Sequence, residues 1–92
     1  MNPCLILRQM FSAKVDAERW LILSNLGHHR WRFQIWGPDP LKSEFADLTA
    51  HEAKQHASDM ATVHLRQRRP EIPLPASFQW RVAIAQLKFK TT

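Results

Sequence analysis

Thirteen lysines and arginines stand against eight acidic residues in this 92-residue chain. They are unevenly placed. Residues 1–65 hold as many acidic as basic side chains. Residues 66–92 hold Arg66, Arg68, Arg69, Arg81, Lys88 and Lys90 against Glu71 alone, so the whole excess of +5 lies there. A positive end of this kind suits an acidic partner: nucleic acid, an acidic protein face or an anionic surface. The competing account is local. Arg66, Arg68 and Arg69 follow a helical pattern, and cations there complement the negative end of the helix dipole.

Five histidines, His28, His29, His51, His56 and His64, raise the question of a metal. Two ligands on one helix must be three or four positions apart to converge on an ion. His51 and His56 are five apart, about 140° around a helix, and no cysteine or carboxylate completes a set. No metal site and no cofactor is expected. His64 reads as a buried histidine with a local hydrogen-bond partner, and His56, four after Glu52, as half of a helix-surface pair. Catalytic patterns are also missing. Gly27 and Gly37 are the only glycines, so there is no phosphate loop. Cys4 has no evident histidine partner. The chain reads as a non-enzyme.

Positioning these residues requires elements, and one helix is plainly marked. Thr49-Ala50-His51-Glu52 has the capping-box spacing. From Thr49 to Arg68 a face forms from Ala53, Ala57, Met60, Ala61 and His64, flanked by Val63 and Leu65. Pro70 ends the run. Alternation marks strands. Trp31, Phe33 and Ile35 face one way, with Arg32 and Gln34 the other; Phe78, Trp80, Val82 and Ile84 repeat the scheme around Gln79 and Arg81. Residues 20–23 make a third strand, linked to Trp31 by a hairpin connection over residues 24–30. Leu41 to Phe45 follows the Gly37-Pro38-Asp39-Pro40 turn as a fourth. Pro70, Pro73 and Pro75 mark an extended connection. Beyond Ile84 the alternation slips by one before Leu87 and Phe89, which implies a bulge near Ala85-Gln86. Residues 4–18 are compatible with a short helix or an initial strand.

Together these elements predict one α+β domain over residues 1–92: an antiparallel sheet of three to five strands with the helix on one face. The sheet's outer face then carries Arg32, Gln34, Gln79 and Arg81, with Trp36 at one end. Guanidiniums neutralise phosphates and an exposed indole stacks a base, although the open face of any antiparallel sheet is polar and Trp36 also suits a core. Tryptophan and arginine are equally the residues that dominate protein interfaces. No apolar stretch approaches the roughly 20 residues that span a bilayer. Cys4-Leu5-Ile6-Leu7 is too short for a signal h-region. One cysteine allows no internal disulfide, which suits the cytoplasm.

Residues 49–57 resemble the second helix of double-stranded-RNA-binding domains. Where that family carries a pair of lysines, however, His51 and Glu52 stand; only Lys54 corresponds, and the chain continues into a further strand. The family is therefore not assigned. In size and architecture the chain is similar to phage-encoded inhibitors, anti-CRISPR proteins among them, and to antitoxin-like partners. The expected function is a protein-protein interaction module or inhibitor of nucleic-acid-handling machinery, bound to an acidic surface through Arg32, Trp36, Arg66, Arg68, Arg69, Arg81, Lys88 and Lys90. Direct RNA or DNA binding is the alternative, and an edge strand offers a route to a homodimer.

Overall fold

The computed structural model describes residues 9–83. Five strands, β1 (Met10–Lys14), β2 (Trp20–Gly27), β3 (Arg30–Trp36), β4 (Leu41–Ala46) and β5 (Arg81–Ala83), form one antiparallel sheet in the order β4-β3-β2-β1-β5. The helix α1 (Ala50–Arg68) packs against it, giving the expected α+β fold. No helix among the described residues is long and apolar enough to cross a membrane.

The helix begins as its sequence dictates. The Thr49 hydroxyl accepts from Glu52 N–H at 3.2 Å, and the Glu52 carboxylate accepts from Thr49 N–H at 2.9 Å. A threonine cap of this kind stabilises a helix by about 1 kcal/mol. Its buried residues are Ala53, Ala57, Ala61 and Leu65, a row with four-residue spacing. Three alanines in that row let the backbone approach the bulky floor of Leu21, Leu23, Trp31, Phe33 and Ile35. Val63, expected to flank the face, is exposed. The Arg69 N–H closes the helix on Leu65 O at 2.7 Å.

The structure resolves one open alternative and corrects several expectations. Within the ambiguous residues 4–18, Met10–Lys14 is a strand. β2 runs to Gly27, so the hairpin turn is only His28-His29, both with positive φ (54° and 59°). The last strand is shorter than residues 78–84. Phe78 and Trp80 precede β5, with Phe78 buried and the Trp80 indole donating to Ser58 Oγ at 3.0 Å. Val82 lies opposite Phe11 on the helix side, yet is 66% exposed, because α1 lies over β2 and β3 rather than over this edge. Glu52 is held by the cap, and His56 instead meets Phe45 edge-on with ring centres 4.6 Å apart. Cys4, Leu5, Ile6, Leu7, Ile84, Leu87, Lys88, Phe89, Lys90 and the bulge expected near Ala85-Gln86 lie outside the described residues.

One irregularity sets the register of the central hairpin. Gly27 pairs with Arg30, but Asn25 pairs with Trp31, so Leu26 is an extra residue on β2. The Asn25 side chain accepts from Gly27 N–H at 2.8 Å across the bulge. Without the bulge, with Leu26 paired to Trp31, Leu21 would stand opposite Trp36 and the two faces would mix. With it, Leu21, Leu23, Phe33 and Ile35 all face the helix, and Trp20 comes opposite Trp36 on the other side.

Candidate macromolecule-binding face

The helix-free face of the sheet can be built row by row from the strand register. Arg81, Ser12, Ile22, Gln34 and Lys42 form one row. Ala83, Met10, Ser24, Arg32 and Glu44 form the next. At one end, Lys14, Trp20 and Trp36 stand side by side on β1, β2 and β3. The two indoles are 42% and 55% exposed, and Lys14 Nζ lies 5.9 Å from the centre of the Trp20 ring. Ile22, next along β2 on the same face, is only 8% exposed, so the rings stand beside an apolar floor.

Charge on this face is mostly positive. Among the described strand residues, Lys14, Arg30, Arg32, Lys42 and Arg81 share it with one carboxylate, Glu44. Glu44 bridges Arg32 at 3.1 Å and Arg30 at 3.5 Å across the β3–β4 pairing. Such exposed pairs are weak in water and exchange readily for a phosphate or another carboxylate.

Arg32, Trp36 and Arg81 lie on the same face of the sheet, with Arg32 and Arg81 three strands apart. Gln34 joins them, while Gln79 lies in the segment before β5. Arg66 and Arg68 are exposed in the last turn of α1. Arg69 has another task. Its Nε donates to the Asp39 carboxylate at 2.8 Å, and the same carboxylate oxygen accepts from Arg19 at 3.1 Å. Arg19 is only 5% exposed and also bonds Asp16 at 2.8 Å, while its Nε finds no partner among the described residues. His64 Nε2 lies 3.0 Å from the Asp39 carbonyl oxygen and, since a carbonyl only accepts, donates to it. Its partner is therefore 25 positions away rather than local.

This knot joins the β1–β2 turn, the β3–β4 turn and the end of α1. Arg69 first, and Arg19 with it, hold the Asp39 carboxyl below its ordinary value. Burial pushes Asp16 upward, but N–H groups of Glu18 and Arg19 and the Arg19 guanidinium outweigh it and hold that carboxyl low as well. Asp39 strengthens the protonated form of Arg19 in return. Trp20 follows Arg19, and Trp36 precedes Gly37 of the β3–β4 turn. The knot therefore pins the basic end of the helix to the rim that carries the indole pair.

No protein-family model matches the chain, and no match was found among curated proteins or solved structures. The site's own geometry has to carry the functional reading.

Lys14, Trp20 and Lys42 were missed by the sequence reading. The signal was there in part: a two-residue His28-His29 turn plus one bulge sets Trp20 opposite Trp36. The bulge itself has no strong sequence mark beyond Asn25 and Gly27. No group of three or more His, Cys, Asp or Glu side chains among the described residues is placed to hold a metal ion. A cleft of about 280 Å³ with a mixed polar and apolar lining lies between α1 and residues 75–80, lined by Lys54, Ser58, Asp59, Phe78 and Trp80. It is at the small end for a ligand pocket.

Proposed function

We propose that this chain is a small non-enzymatic binding protein that takes an acidic macromolecule on the helix-free face of its sheet. Single-stranded nucleic acid is the partner best suited to that face. The observation that carries the reading is the exposed Trp20–Trp36 pair, in direct register, with Lys14 beside it and Lys42, Arg32 and Arg81 farther along the same face. Indole faces stack unpaired bases with little regard to sequence, and the cations neutralise the phosphates between them. Gln34, Ser12 and Ser24 supply neutral hydrogen-bonding groups on the same surface. Arg66 and Arg68 add positive charge at the last turn of the helix. The single cysteine, Cys4, suits a cytoplasmic setting.

A second reading is supported by the Glu44 bridges. A face of mixed charge around two tryptophans also has the composition of a protein hot spot. In that case the chain acts as an interaction module or inhibitor on an acidic surface of nucleic-acid-handling machinery, in the manner of small phage-encoded inhibitors.

Titration of labelled single- and double-stranded oligonucleotides at two salt concentrations separates these readings. Direct binding predicts preference for the single strand, and affinity falling with salt by a slope of about −0.7 per neutralised phosphate. Trp20→Ala and Trp36→Ala should each weaken binding by about 1–3 kcal/mol, with the thermal midpoint little changed. Absence of binding at the lower salt concentration rules out nucleic acid and leaves the protein partner.

A further inference from the structure

Among the described residues β4 is a terminal strand of the sheet, with β3 on one side and no strand paired on the other. Natural edges are commonly protected by proline, a bulge, extreme shortness or an unmatched lysine. β4 has six residues and a regular register with β3, and contains no proline. It does contain Lys42, but Glu44 follows two positions later on the same face.

The order Leu41-Lys42-Ser43-Glu44-Phe45 is balanced about its centre. Opposite charges flank Ser43, and apolar residues flank the charges. We propose that two copies of this chain associate through β4, antiparallel, with Ser43 of each opposite Ser43 of the other. Symmetry then sets Lys42 against Glu44 of the second copy twice, and Leu41 against Phe45 of the second copy twice. Lys42, without an ion-pair partner among the described residues, gains one. Leu41 and Phe45, both half-buried on the helix side, extend their apolar cover across the junction.

Other registers fail on the same residues. A slip of one position turns helix-side residues toward the open face. A slip of two places Lys42 against Lys42, or Glu44 against Glu44, and like charges directly opposite are destabilising. The centred register alone satisfies both charge and burial. An antiparallel junction of this kind has its two-fold axis perpendicular to the sheet. Both helix-free faces therefore lie on one side of a continuous sheet, and both helices on the other. Nothing in this association depends on what those faces bind.

Sedimentation velocity of the full chain over a range of concentrations tests the proposal, with no ligand present. A concentration-dependent monomer–dimer equilibrium is expected. Lys42→Glu and Glu44→Lys should each weaken self-association by about tenfold, because two symmetry-related attractions become repulsions. An equimolar mixture of the two variants should restore association, since one copy then carries only carboxylates and the other only ammonium groups at the junction. Circular dichroism establishes that each variant is folded. Should either fail to fold, Ser43→Cys in a Cys4→Ser background gives an independent reading. Directly opposed antiparallel residues have Cα atoms about 4.5–5.5 Å apart, within disulfide reach, so oxidation should yield a covalent dimer. A chain that is monomeric throughout overturns the proposal. So do single variants that associate like the parent, a mixture that associates no better than its components, or a cysteine variant that does not cross-link.

Discussion

Asp39 does more structural work than its place in a short turn suggests. Its backbone is left-handed (φ 60°), its carbonyl takes His64, and its carboxylate takes Arg69 and Arg19. Two positions before it Gly37, at φ 110°, passes so close to the Glu18 carbonyl that a Cβ there would collide with its oxygen. Glycine is thus required twice over, by conformation and by space. The two guanidiniums give stability a pH dependence whose sign follows from linkage. The folded state holds the Asp39 carboxyl below its ordinary 3.8. On acidification the unfolded chain takes up that proton first. The contribution is therefore fully present above the ordinary value and is lost as pH falls through the lower folded value. Asp39→Asn should lower the thermal midpoint at neutral pH and flatten the midpoint's decline in that acid window. A variant whose midpoint falls with acid as steeply as the parent's would show that the knot does not stabilise the fold.

At the scale of elements, the hairpin β2–β3 combines a strong rule with a weak one. Its alternation is dictated by residues 31–36, and that pattern was legible from sequence alone. Its turn was not. Two consecutive positive-φ positions normally call for Asn-Gly or a similar pair, whereas this chain uses His28-His29. Histidine tolerates the left-handed region better than most side chains but less well than glycine. Replacing the pair by Asn-Gly should therefore stabilise the fold, by about 0.5–1 kcal/mol, read as a raised denaturation midpoint. A lowered midpoint would mean that the imidazoles make contacts whose value exceeds the backbone strain.

The same contrast explains which parts of the fold could be read in advance. Thr49 to Arg68 carried a cap, a small-residue face and a proline stop, each local and each sufficient. Residues 78–84 carried alternation, yet only Arg81–Ala83 pair among the described residues, because alternation reports burial and not hydrogen bonding. Arg69 illustrates the limit for the site. By position it belongs to a basic cluster; in space a carboxylate 30 positions away takes it. Contacts of that range leave no mark in local spacing.

For the molecule as a whole, the arrangement separates two kinds of tryptophan. Trp31 is buried and donates to the Leu48 carbonyl at 2.9 Å, and Trp80 is half-buried against α1. Trp20 and Trp36 stand in solvent on the face that carries Lys14, Arg30, Arg32, Lys42 and Arg81. Coulomb attraction concentrates small anions near such a face and depletes small cations, over roughly 10 Å at 0.1 M salt. Iodide should therefore quench the intrinsic fluorescence more strongly than caesium at equal ionic strength, and the difference should shrink as salt is raised. In the Trp20→Ala/Trp36→Ala double variant the remaining emission should shift to the blue and lose most of its response to either ion. Equal quenching by the two ions in the parent would mean that the positive side chains of the face set up no net field at the indoles. The face would then lack the electrostatic half of a nucleic-acid platform, whatever its rings can stack.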